Sequence, residues 1–88
     1  MQRRYGARRT LIESNRVSEA FGYVLREARL AQGISQSDLS LLADVDRTFI
    51  SLMECGTRQC TLTVLCKLAR ALNTQPSTLV ARMERLLR

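Results

Sequence analysis

The stretch Ile34–Gly56, ISQSDLSLLADVDRTFISLMECG, decides the fold, because it divides into two short helical segments separated by a tight turn. Ser35 followed three residues later by Asp38 is a capping box, in which each side chain satisfies an orphan backbone donor at a helix start. Leu39, Leu42 and Ala43 then recur at helical spacing on one face, while Gln36, Ser37 and Ser40 keep another face polar. Asp44-Val45-Asp46 interrupts this pattern. Asp tolerates the left-handed conformation of a tight turn, and Asp46 is a natural cap for a following helix.

From Arg47 the apolar positions are Ile50 and Met53, joined by Val45 from the turn, which leaves Arg47, Thr48, Ser51, Leu52 and Cys55 on the outer side. That outer face is rich in hydrogen-bonding groups, and Gly56 is placed to end the helix in a left-handed cap. Two short helices crossing at a turn of about three or four residues form a helix-turn-helix, with the second helix sized for the major groove of DNA.

Working outward, Ser18 is an N-cap candidate with Glu19 behind it, and Phe21, Val24, Leu25 and Ala28 form the buried stripe of a helix running to about Ala31. Gly33 supplies its stop, and Ile34 enters the core. Beyond Gly56, Thr61 caps a fourth helix carrying Leu62, Leu65, Leu68, Ala69 and Leu72. Asn73-Thr74-Gln75 breaks it, and Pro76 suits the first position of a fifth helix, where its missing N–H costs nothing. The expected fold is therefore all-α, a five-helix bundle in residues 18–88, with residues 1–17 as a basic, flexible arm in which Leu11 and Ile12 offer a way to extend the first helix.

Charge points to a polyanionic partner. Of the formal +6, net +4 falls on residues 1–17, which hold Arg3, Arg4, Arg8, Arg9 and Arg16 against Glu13. Arm arginines on DNA neutralise phosphates whatever the base sequence. The alternative is a solvated arm with no partner.

The chain has no His, no paired carboxylates with a cleft and no phosphate-cradling Gly loop, so enzyme chemistry and a cofactor are not expected. Cys55, Cys60 and Cys66 match no standard zinc spacing. Cys66 reads as a small core residue of the fourth helix and the other two as loop residues, with a thiol switch near the loop as the alternative. An odd cysteine count without a signal-like segment fits a cytoplasmic protein with reduced thiols, and no stretch approaches the ~20 apolar residues of a membrane span.

Over roughly residues 19–80 the chain resembles the XRE, or lambda-repressor-like, helix-turn-helix regulators. The resemblance is carried by Leu25-Arg26 and Arg29 before Gly33, then Ile34-Ser35-Gln36, Leu39, Val45, Ile50-Ser51, Glu54 and Gly56. Leu62, Leu65, Leu68-Ala69, Ala71-Leu72 and Leu79 complete the ordered set. The run Asp46-Arg47-Thr48-Phe49-Ile50-Ser51 also looks like that of restriction-modification controller proteins. Departures are Asp44 for the usual turn Gly, Ser40 for a small Ala, Cys55 for a common Asn and Cys60 for a common Pro.

The resemblance implies a lambda-repressor-like DNA-binding fold and sequence-specific binding of double-stranded DNA to regulate transcription, most simply as a repressor. Arg47, Thr48 and Leu52 fall at base-reading positions, flanked by Ser51 and Phe49. Gln36, Arg58 and Cys55 fall at phosphate-contacting positions, and Arg29 with Glu54 at a structural ion pair. The expected partners are a palindromic operator, a second copy of the chain, and RNA polymerase if the regulator activates. An apolar stripe of Val80, Met83, Leu86 and Leu87 on the helix at about 76–88 is the expected dimer interface. Two other functions fit the same residues: a protein-interaction module such as an antitoxin, and a non-specific architectural DNA binder.

Overall fold

The computed structural model describes residues 7–88, with side chains from Ser14 onward. Five helices make up the described chain: α1 Ala7–Ala31, α2 Gln36–Ala43, α3 Arg47–Glu54, α4 Leu62–Ala71 and α5 Pro76–Leu87. α1 lies against α3 and α5, α2 against α3 and α4, and α4 against α5. Their shared interior holds Leu25, Leu39, Ile50, Met53, Leu68 and Leu79 fully buried.

The helix ends follow from named caps. The Ser35 hydroxyl accepts from the Asp38 N–H at 2.9 Å while Asp38 accepts from the Ser35 N–H at 3.0 Å, closing the capping box. Thr61 caps α4 through the Val64 N–H at 3.1 Å, and Pro76 opens α5. α1, α3 and α4 end alike, in a left-handed residue (Gly33, Gly56 and Asn73) followed by a backbone bond reaching five residues back, from Ile34 to Arg29, Thr57 to Leu52 and Thr74 to Ala69.

α1 departs from the sequence reading, since it begins at Ala7 and Ser18 is no cap. Nothing between Ala7 and Ser18 forbids helix, and the Ser18 hydroxyl donates to the Ser14 carbonyl at 3.1 Å, which satisfies a buried serine inside a helix. The boundary between arm and domain at residue 17 therefore falls inside α1. Ser14 accepts from the Gln59 amide at 3.1 Å, and Arg16 donates to the Leu87 carbonyl at 3.2 Å, so this part of α1 is tied to the body. Arg3 and Arg4, and the side chains of Arg8 and Arg9, lie outside the described residues.

Three side chains sit elsewhere than their periodicity implies. Leu42 is 63% exposed, because α2 turns a narrow Leu39–Ala43 edge to the core and a residue at +3 falls beyond it. Leu62 is 80% exposed at the first position of α4, one turn before Leu65 enters the core. Cys66 is exposed, while Cys60 packs half-buried against the core and burial pushes its thiol pKa up.

Gly22 plays a part that its neighbours in sequence do not reveal. α1 crosses α3 so closely there that a methyl group at Gly22 would collide with the Met53 carbonyl oxygen and press on Glu54.

Candidate nucleic-acid interface

The interface is built on the turn that joins α2 to α3. Asp44 adopts φ 57 and ψ 50, a left-handed conformation that reverses the chain in a single residue. Val45 then drops into the core, and its carbonyl accepts from the Ser40 hydroxyl at 2.6 Å. Asp46 caps α3 by accepting from the Phe49 N–H at 3.2 Å. These bonds fix the angle at which α3 leaves α2.

α3 buries Ile50 and Met53 and turns its other side outward. Arg47, Thr48 and Cys55 are exposed, Ser51 and Leu52 are half-exposed, and Phe49 is half-buried against the core. Arg58 stands exposed in the loop after Gly56. That loop is held at one end by the Thr57 hydroxyl on the Leu52 carbonyl at 3.1 Å and at the other by Gln59 on Ser14.

Behind this face lies an ion pair. Arg29 Nε donates to Glu54 Oε2 at 2.7 Å and Nη2 to Oε1 at 2.9 Å, while Nη1 donates to the Ile34 carbonyl at 2.9 Å. Burial alone would raise the Glu54 carboxyl pKa, but hydrogen bonds from Arg29 and Gln36 and the charges of Arg29 and Arg26 hold it below the usual carboxylate range. The hydrogen bond to Glu54 raises Arg29 in turn. Gln36, the first residue of α2, donates through Nε2 to Glu54 Oε1 at 3.0 Å and accepts through Oε1 from Arg47 Nη1 at 3.5 Å. Arg29 and Glu54 come together here with Gln36 and Arg47, two residues that the sequence places in different helices.

A second surface lies between α1, α4 and α5. Val17, Phe21, Leu62, Leu65, Val80 and Met83 line an open apolar groove there. Val80 and Leu86 are 39% and 49% exposed, whereas Met83 packs partly on the core and Leu87 is half-buried. Among the described residues no group of three His, Cys, Asp or Glu side chains is placed to hold a metal, and no described helix is long and apolar enough to cross a membrane.

Residues 25–79 match the helix-turn-helix family profile, so the match spans α2, α3, α4 and their connections. Control protein C.BamHI of Bacillus amyloliquefaciens is 37% identical over 68 residues, covering 76% of this chain and 84% of the relative. The chain belongs to the XRE-like helix-turn-helix regulators.

The solved structures place it more narrowly among these regulators. The restriction-modification controller protein C.AhdI of Aeromonas hydrophila is 40% identical and superposes with a TM-score of 0.69, over 70% of this chain and 94% of that one. The controller protein C.Esp1396I, solved as a tetramer with its natural 35-base-pair operator, is 25% identical with a TM-score of 0.73, over 82% of this chain and 96% of that one. This XRE-like chain is a DNA-binding regulator of the restriction-modification controller type.

Proposed function

We propose that the chain is a homodimeric transcriptional repressor that reads a palindromic operator through α3. The observation that carries this reading is the outer face of α3, on which Arg47 and Thr48 stand exposed at the first turn of a helix with rigidly capped ends. Arg47 is the base reader that counts most, since a guanidinium fits the O6 and N7 acceptors of guanine; Thr48 and Leu52 read beside it, Leu52 against a thymine methyl, with Ser51 and Phe49 flanking. Gln36, Arg58 and Cys55 meet phosphates around them, and the arm arginines Arg3, Arg4, Arg8 and Arg9 add sequence-independent attraction.

Dimerisation through α5 supplies the symmetry that a palindrome requires. The groove supports it, because Val80 and Leu86 remain exposed beside an apolar cleft that one copy of the chain leaves open. Repression follows from occupying promoter DNA in the cytoplasm; a bound dimer that touches RNA polymerase activates instead.

Competition binding at physiological salt tests the reading. An operator duplex should bind at least about a thousandfold tighter than random-sequence duplex of the same length. Equal affinity for the two would establish an architectural DNA binder in place of a regulator.

A further inference from the structure

We propose that Gln36 and Glu54 are specificity-determining positioning residues, which aim the Arg47 guanidinium through a chain of hydrogen bonds whose direction cannot be reversed. The proposal rests on the reading that Arg47 meets a base edge.

The direction follows from the chemistry of each group. An ionised carboxylate only accepts hydrogen bonds and a guanidinium only donates them, whereas a carboxamide has one end of each kind. Glu54 accepts two bonds from Arg29, and its Oε1 also faces Gln36 at 3.0 Å. Gln36 must therefore turn its NH2 toward Glu54, because the flipped amide would set its carbonyl oxygen against a carboxylate oxygen. That leaves the Gln36 carbonyl oxygen facing the start of α3, where Arg47 Nη1 lies at 3.5 Å. Arg47 can use only an acceptor, and the carboxamide presents one.

The chain is anchored at its far end. The Arg29 and Glu54 side chains are 10% and 5% exposed, and Arg29 also holds the Ile34 carbonyl, two residues before Gln36. Groups from α1, α2 and α3 thus lock Gln36 in one rotamer. The contact to Arg47 is long, so it steers the side chain more than it holds it. It leaves the other guanidinium N–H groups free for a base edge and reduces the side-chain freedom that Arg47 loses on binding. The second N–H of the Gln36 amide remains for a phosphate, so the same residue registers the DNA backbone and orients the reader.

The test uses the full chain and a duplex carrying the sequence that the wild type selects, with every base pair replaced in turn. Arg47→Ala should level the preference at one base pair in each half-site. Gln36→Lys keeps donors for Glu54 and for a phosphate but offers Arg47 no acceptor and repels it. This variant should retain overall affinity and salt dependence while discrimination at the same base pair falls roughly fivefold or more. Gln36→Met, which also loses the phosphate donor, should show the same local loss with weaker binding throughout. Wild-type discrimination at that base pair in both Gln36 variants would overturn the proposal, as would a uniform loss across all base pairs. A preference that survives Arg47→Ala would overturn the base-reading assignment, and the proposal with it.

Discussion

Arg29 and Glu54 meet in a two-pronged ion pair, Nε to Oε2 at 2.7 Å and Nη2 to Oε1 at 2.9 Å, almost wholly out of solvent. Two charges so placed stabilise each other but leave a large penalty if one is removed, because the survivor stays buried and unpaired. Arg29→Ala and Glu54→Ala should each lower the unfolding free energy by about 3 to 5 kcal/mol. Urea denaturation of the two variants reads this directly, and values within error of wild type would contradict it.

The same pair makes stability depend on acid. Glu54 has its pKa depressed in the folded state, so its contribution is fully present above the unfolded carboxylate value and is lost as pH falls through the lower folded value. The stability difference between wild type and Glu54→Gln should therefore be largest near neutral pH and shrink below about pH 4. Denaturation midpoints measured from pH 7 down to pH 3 check it; a difference that stays constant would show that Glu54 carries no such linkage.

Gly22 has no room for a side chain against the Met53 carbonyl. Gly22→Ala should destabilise the fold by about 1 to 3 kcal/mol even though alanine is the better helix former, because the clash forces α1 away from α3. Thermal melting of this one variant is sufficient, and an unchanged or raised Tm would contradict the close crossing.

Dimerisation is best probed at exposed positions. Met83 packs partly on the core, so an acid there would also harm the fold, whereas Val80 and Leu86 are free to change. Val80→Asp with Leu86→Asp should convert a dimer at micromolar concentration into a folded monomer with weakened operator binding, as read by sedimentation. A variant that sediments like wild type would remove α5 from the interface.

Removing residues 1–6 takes away Arg3 and Arg4 but leaves α1 intact. If those arginines touch phosphates, the slope of log K against log salt should flatten by roughly 0.9 for each phosphate that is no longer neutralised. An unchanged slope would deny the arm its role.

How much of this was legible in the sequence depended on whether the signal was local. The capping box at Ser35 and Asp38, the Asp44 turn, the Asp46 and Thr61 caps and the glycine stops are set by backbone groups a few residues apart, and all take the predicted form. Periodicity was weaker for two-turn helices and helix ends. It could not show that Leu42 lies past the edge of a narrow core stripe, or that Leu62 sits one turn ahead of the core. Ser18 misled because a serine caps a helix start or, as here, bonds back within one. The Gly22 crossing and the contacts of Gln36 with Glu54 and Arg47 depend on helices far apart in sequence, and no local pattern encodes them.

Everything proposed for the function turns on two copies of α3 reading one symmetric site, and selection of bound sequences from random duplex DNA at physiological salt is the decisive measurement. The predicted result is a palindrome whose half-sites lie about one helical turn, roughly 34 to 36 Å, apart, each with one strongly preferred base pair that Arg47→Ala levels. Recovery of sequences with no shared half-site, or of a single unpaired half-site, would contradict it.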